Sequence, residues 1–364
     1  RNLFSSSTSR ILAEASISHY ETVADELELR PTGYLWTWSE RAWRASEPAL
    51  RRLAKEAGRV EILDPLELRR VLAIGPEDPR FEAPAMGVWG RRCGSLSAMG
   101  LAEHYARALT AAGGEIRTAS LAGPPLADGS GSGGAPWASS RFTGLSDSRG
   151  ETYSSGVLVA AAGCWLQDLL GPAGLATGVY PKKRQLFGLR VGDWGSIFTR
   201  GSTGEAPNLI LPAGQVYLTP ILSRGILVAG RADDLGRAFE LPYEPASRAF
   251  AEEGFFRSAI EPVLRSYFPG LAKAYPSGLE IASSWAGHYD YYWPDRNPVV
   301  ERSADLVWVG GSSGSGIMKA DSIGRVAAAK AVGDEGVELA DGTDFAVADL
   351  SLRKRRVAEE DLVI

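Results

Sequence analysis

The chain has 364 residues, 45% hydrophobic and 23% charged, which is ample apolar material for one large domain or two ordinary ones. Its formal net charge of −5, with no basic stripe interleaved with aromatics, argues against nucleic acid as a partner. No run approaches the roughly 18–20 uninterrupted apolar residues of a membrane helix. The two cysteines, Cys93 and Cys164, make no metal pattern and suit a reduced, intracellular protein.

In chain order, "RILAEASISHYETVADELEL" (10–29) carries apolar positions at helical spacing, and Pro31 stops it. "GYLWTW" (33–38) predicts a strand, and "EPALRRLAKEAG" and "DPLELRRVL" predict helices. "LSAMGLAEHYARALTAAGG" (96–114) reads as an amphipathic helix closed by paired glycines, with a strand, "EIRTASL", straight after it. Residues 122–139 form a Gly/Pro/Ser loop too polar to pack. The next stretch, "RFTGLSDSRGETYSSGVLVAAAG", alternates through a hairpin into an all-apolar run, Val157–Ala162, the pattern of a central parallel strand.

Between 180 and 292 the texture changes. "QLFGLRV", "LILPAGQVYLTPI" and "GILVAGRA" predict strands of an antiparallel sheet, interrupted by one helix, "SRAFAEEGFFRSAIEPVLRSYF". A last helix spans Ala320–Val332. The basic run Arg353–Arg356, close to "EEDL", reads as a solvated tail. The expected fold class is α/β (α+β) with two interleaved lobes. An α/β lobe comprises 1–30, 90–175 and 293–345, and a mainly antiparallel lobe comprises 31–89 and 176–292. The tail covers 346–364.

The run "VWVGGSSGSGIMKADSIGR" (307–325) carries the chemistry. A strand that breaks into glycines and restarts as a helix places unpaired N–H groups at a helix N-terminus, a ready anion site; a tight turn needing positive φ is the plainer reading. It is not the dinucleotide fingerprint G-x-G-x-x-G, because Lys319 stands where the third glycine belongs. Gly310-Gly311-Ser312-Ser313-Gly314 does match the nucleophile elbow G-x-S-x-G. However, His19, His104 and His288 all precede the serine, against the hydrolase order, so a serine hydrolase is a remote alternative.

"SGVLVAAAGCWLQDLLG" (155–171) is similar to the strand and A-G-x-W signature of the D-amino-acid oxidase superfamily of flavoproteins, the branch with sarcosine oxidase, glycine oxidase and dye-linked proline dehydrogenase. "SSWAGHYDYYWPDRNPVVERSADLVWVGGSSGSGIMKADSIGR" (283–325) resembles the same family's C-terminal flavin segment, and "YPKKRQLFGLR" (180–190) resembles the strand that opens its substrate lobe. The resemblance implies an FAD-binding, Rossmann-like lobe interleaved with the substrate lobe. It also implies N-terminal truncation, since the family's opening strand, glycine turn and helix, roughly 50–60 residues, find no match here.

By the same resemblance, Gly311, Gly314, Ser315, Gly316, Ile317 and Met318 would lie against the flavin ring, and Ala162, Gly163 and Trp165 near the FAD pyrophosphate and ribityl chain. The implied reaction oxidises an amine or amino acid such as sarcosine or proline. Hydride passes to flavin N5, the imine is then hydrolysed, and oxygen, a carrier protein or a quinone takes the electrons. Two positions that carry a substrate-binding cation in relatives are Tyr289 and Met318 here, with Lys319 one step on, so Arg184 or Arg1 would have to replace them. Trp285, His288, Tyr289, Tyr291 and Tyr292 would line a π-rich pocket, with Tyr289 and Tyr291 on one strand face; alternatively, this strand is simply core. His288 reads more readily as a structural histidine, His19 and His104 as solvent-edge residues, and Cys164 as a packed residue. A non-catalytic flavoprotein-like subunit or assembly factor is the alternative function. The expectation is a cytoplasmic enzyme, free or at a membrane surface, in any oligomeric state.

Overall fold

The computed structural model describes residues 1–72, 74–127, 141–192, 206–213, 215–232, 250–353 and 355–362. Helix α1 (Ser7–Thr22) starts where the Ser6 hydroxyl accepts from the Ser9 N–H, and it buries Leu12, Ala15 and Tyr20. Strand β1 (Tyr34–Ser39) runs straight into α2 (Glu40–Glu56), capped by Ser39. Next come β2 (Val60–Leu63), α3 (Pro65–Val71) with a full Asp64/Glu67 capping box, β3 (Pro84–Gly90), and α4 (Ala98–Ala111) capped by Ser97.

A small antiparallel sheet follows, made of β4 (Leu126–Ala127), β5 (Phe142–Ser146) and β6 (Thr152–Ser154). Strand β7 (Leu158–Ala160) then leads through a tight turn, Gly163–Trp165, into α5 (Leu166–Leu170). The long strand β8 (Val179–Arg190) precedes β9 (Asn208–Ile210), β10 (Val216–Ile221) and β11 (Ile226–Arg231). A π-helical turn, Phe256–Ile260, opens α6 (Glu261–Tyr267), and α7 (Pro269–Ala274) follows. The rest is β12 (Glu280–Tyr292), β13 (Val299–Ser303), β14 (Leu306–Gly310), α8 (Gly316–Val332), and a hairpin of β15 (Gly336–Glu338) and β16 (Asp344–Ala346).

Eight strands form one sheet in the order β12-β8-β11-β10-β9-β1-β3-β2, antiparallel except where β1 and β9 run parallel. Side-chain alternation splits its residues between two cores. Leu35, Leu189, Leu209 and Leu227 pack with Val263, Leu264 and Tyr267 of α6 on one side. Trp36, Val88 and Ile210 pack with Trp43, Leu50 and Leu53 of α2 on the other. A second sheet, β13-β14-β7, is covered by α8, whose Ile323, Val326 and Ala327 meet Val300, Val307 and the α1 residues Leu12 and Ala15.

Several sequence expectations change. Among the described residues, 115–121 form no strand, and only Leu121 bridges, to Asp147. Strand β7 is parallel to β14 as expected, yet it is the edge of its sheet and not its centre, and Val157 and Val159 are exposed. Helix α8 starts at Gly316, four residues before the apolar periodicity does. Residues 128–139 of the polar loop and residues 247–249 of the long helical pattern lie outside the described residues.

The C-terminal segment is a strap, not a solvated tail. Arg355 pairs with both Asp295 oxygens and donates to the Pro298 and Asn297 carbonyls at 2.8 and 2.9 Å. Glu360 is buried and accepts the Ser5 and Ser6 backbone N–H groups, each at 2.9 Å. Leu362 packs with Leu3 and Trp36.

Candidate functional site

The glycine run forms a turn pinned to the end of β12. Gly311 (φ +71°) and Gly314 (φ +76°) adopt the left-handed region, and a Cβ on Gly311 would stand 2.5 Å from the Tyr292 Cβ. The Asp290 carboxylate accepts the Ser312 N–H at 3.1 Å and the Ser312 hydroxyl, and the Asp290 carbonyl accepts the Ser313 N–H at 3.0 Å. The Tyr292 N–H donates to the Ser313 hydroxyl at 3.1 Å. Ser312 is thus bonded to a carboxylate and not to a histidine, which removes the local basis for a serine nucleophile. Burial raises the Asp290 carboxyl above its ordinary range, and the Ser312 hydrogen bonds act against that shift.

Helix α8 begins differently from α1, α2, α3 and α4. Ser315 at its N-cap donates to the Ser312 carbonyl at 2.6 Å and caps no first-turn N–H group with its side chain. The dipole and donors of a 17-residue helix therefore point out of the turn. Ile317 is exposed there. Gly316 and Gly163 share an apolar groove of about 610 Å³ with Ala161, Ala320, Gly324 and Ala327. Ala162 is half-buried, Trp165 is exposed, and Cys164 is enclosed.

A second cavity, about 660 Å³ and largely apolar, joins Ile317 and Met318 of α8 to Tyr20 of α1, Tyr34 of β1, Cys93, and Arg1. The Arg1 guanidinium is buried among the Phe4, Tyr34 and Trp36 rings at 4.7, 5.8 and 5.6 Å. Among the described residues it donates only to the Leu362 and Leu3 carbonyls, at 2.8 and 3.3 Å, and its Nε finds no acceptor there. Tyr34 and Tyr217, whose hydroxyls burial pushes well above the ordinary tyrosine range, lie within electrostatic reach of Tyr289.

A model of the DAO family, described as FAD dependent oxidoreductase, matches residues 4–330. The chain belongs to that family. FAD is accordingly its cofactor. "FAD-dependent oxidoreductase domain-containing protein 1" of Xenopus laevis is 26% identical over 192 residues, 49% of this chain and 35% of that protein. The Bos taurus protein of the same name is 26% identical over 188 residues, 47% and 35%. The chain thus spans about a third of the length of these relatives.

Among solved structures, L-proline dehydrogenase from P. horikoshii superposes with a TM-score of 0.69 at 19% identity, over 90% of this chain and 80% of that one. Glycine oxidase from Geobacillus kaustophilus gives 0.65 at 18%, over 95% and 83%, and iminodiacetate oxidase from Chelativorans sp. BNC1 gives 0.63 at 19%, over 89% and 80%. At these identities the likeness is one of fold. Among the described residues no helix is long and apolar enough to cross a membrane.

The residues present suit a DAO flavin. The uncapped α8 terminus offers backbone donors to an anionic ring edge, and the small side chains of the 610 Å³ groove leave room along α8 for an extended group.

The remaining sequence-picked residues separate into two groups. Arg184 lies with its Cζ 5.3 Å over Tyr289, and Tyr291 is buried under Lys182 at 4.7 Å. His288 is half-buried on β12, whereas Trp285 is exposed and Tyr292 packs beneath the turn and Arg355, so neither of these two joins an aromatic pocket. Lys319 is fully enclosed, its ammonium bonded to the Ser9 hydroxyl at 3.1 Å and lying over Phe4 at 4.9 Å. Its place is thus beside α1, where the Ser6 and Ser9 hydroxyls donate to Asn297 Oδ1 at 2.9 and 2.8 Å, out of reach of a solvent-borne substrate. Burial lowers its pKa to about 7. His19 and His104 are mutual neighbours, 5.6 Å between ring centroids, with His104 on Glu26 at 3.0 Å and His19 near Asp321 at 3.8 Å. Sequence reading missed the Asp290–Ser312 anchor and the strap. A carboxylate on an aromatic strand ahead of the glycine run was the only available signal for the anchor.

Proposed function

We propose that this DAO-family protein oxidises an amine bearing a carboxylate, in the class of proline, sarcosine or glycine. The observation that carries this reading is the 660 Å³ cavity, which connects the first turn of α8 to a buried arginine without a carboxylate partner among the described residues. A substrate carboxylate on the Arg1 guanidinium would form charge-assisted hydrogen bonds. Tyr34 and the apolar wall would then hold the amine carbon near Ile317 and Met318 and keep water away. The flavin, when bound, supplies the two-electron oxidation. Its contacts on this chain would be Gly311, Gly314, Ser315, Gly316, Ile317 and Met318, with Ala162, Gly163 and Trp165 at the far end. Arg184, Tyr289, Tyr291 and His288 would contribute a second aromatic–cationic wall. A proline dehydrogenase and a glycine oxidase among the structural neighbours support the substrate class.

The test is anaerobic mixing of the flavin-loaded protein with proline, sarcosine and glycine while the flavin absorbance is followed. Bleaching by one or more amino acids is expected. Full flavin occupancy without bleaching by any of them would remove the enzyme reading in favour of a non-catalytic flavoprotein subunit. Reoxidation by oxygen against a dye or quinone then identifies the acceptor.

A further inference from the structure

The segment ahead of β1 stands between two cavities. Leu29 and Pro31 line the 660 Å³ cavity that reaches α8. Arg30 and Thr32, the alternate residues, line a different cavity of about 490 Å³, and Glu28 joins them there. The dividing wall is held by Arg30 and Ser95, whose backbones exchange hydrogen bonds at 2.8 and 3.0 Å, and Ser95 and Leu96 border both sides. The smaller cavity is completed by the end of β10 and the turn into β11, which bring Thr219, Ser223 and Arg224.

The side chains around this second cavity are largely uncommitted. Arg30 approaches Glu28 at 4.0 Å, and both are well exposed, so that ion pair holds neither firmly. Among the described residues the Arg224 guanidinium makes no hydrogen bond or ion pair, and the Thr32, Ser95, Thr219 and Ser223 hydroxyls make no hydrogen bond. Ser97 alone of the lining hydroxyls is engaged, accepting the Gly100 N–H at 3.0 Å. Two guanidiniums and four hydroxyls offer more donors than the two oxygens of a carboxylate can accept. They suit a phosphate monoester, with three acceptor oxygens and a charge of roughly −1.5 to −2 that outweighs Glu28. Glu28 can accept from a hydroxyl on the ester's stem, and Leu96, Pro220 and Ile221 give the stem an apolar side. We propose that this cavity binds a small polyol phosphate, the phosphate on Arg30 and Arg224 and the stem toward Glu28. The site lies across the wall from the amine cavity and does not depend on the amine-oxidising reading.

The probes are glycerol 3-phosphate, glycerol and inorganic phosphate, titrated calorimetrically into the flavin-loaded protein. Glycerol 3-phosphate should saturate at one per chain, inorganic phosphate should bind more weakly, and glycerol should give no binding heat. Affinity for the ester should fall as salt rises. Arg224→Gln and Arg30→Gln should each weaken it at least about tenfold, as loss of charged hydrogen bonds does, and Thr219→Val about fivefold. Should one arginine variant not fold, the other decides. Arg52→Gln, at an exposed position outside the cavity, should leave binding unchanged. No saturable binding of the ester, or equal affinity in Arg224→Gln and Arg30→Gln, overturns the proposal. Loss of binding in Arg1→Gln alone also overturns it, by placing the phosphate in the amine cavity. Inorganic phosphate binding as tightly as the ester overturns the polyol assignment. Amine turnover, present or absent, changes none of these readings.

Discussion

Asp290 and Ser312 are joined twice, the carboxylate accepting both the backbone N–H, at 3.1 Å, and the side-chain hydroxyl. The pair ties the end of β12 to the glycine turn. Because burial raises the Asp290 carboxyl, its contribution to stability is greatest below its unfolded pKa, near 4, and declines as pH rises through the folded value. Asp290→Asn should flatten that part of the pH–stability curve while keeping an acceptor for Ser312. Asp290→Ala should cost about 1–3 kcal/mol by leaving buried donors unmet. Thermal melts from pH 4 to 7 on the three proteins check this, and parallel curves would disprove the coupling.

Lys319 titrates in the opposite sense. Burial lowers its pKa to about 7, against the opposing pull of Glu360, with Arg1, Asp290 and Arg355 also in reach. Between about pH 7 and the ordinary lysine pKa the unfolded chain binds more protons, so stability due to this group rises with pH over that window. Lys319→Met should abolish the rise, and an unchanged slope between pH 7 and 9 would show that the ammonium is not enclosed.

Gly311→Ala places a Cβ 2.5 Å from that of Tyr292 at a φ of +71°. We expect a loss of roughly 1–3 kcal/mol and fewer flavins per chain, because the turn that presents α8 must shift. Destabilisation with full flavin occupancy would separate the turn from cofactor binding.

Tyr289→Phe should raise the KM for the amine and leave flavin content alone, since the ring that meets Arg184 is retained. Unaltered kinetics would return this face of β12 to a packing role.

Glu360→Gln removes the charge at the start of α1, where Ser5 and Ser6 donate to the carboxylate. A cost of about 1–3 kcal/mol follows from loss of charged hydrogen bonds. The Lys319 titration should also move to lower pH, because Glu360 is the charge that favours the ammonium. A titration that stays in place would uncouple the strap from α8.

Much of the helical framework was legible in its apolar spacing, but its ends were not: the first pattern runs to Leu29 whereas α1 stops at Thr22, and α2 starts at Glu40, ahead of its pattern at Glu47. Ser6, Ser39, Asp64 and Ser97 sit where the caps form, and Gly333 ends α8 in the left-handed region. The glycine turn was legible as a strand-to-helix junction. Residues 115–121 misled because β-branched alternation records only a willingness to pair, not a partner. Lys319 misled in another way. A lysine one residue beyond an expected cation position gives no sign in sequence that its helix will turn it inward onto Ser9. The strap was invisible for a related reason, since its charges look solvated until Asp295, Arg296 and Ser5 arrive from elsewhere to pair with them.

That strap also sets an order of events during synthesis. Ser5 and Glu360, which bond at 2.9 Å, are 355 positions apart. The first turn of α1 can therefore form long before the carboxylate that completes it has left the ribosome, and the cleft bordered by Arg1 gains its Leu362 contact only once residue 362 has been made.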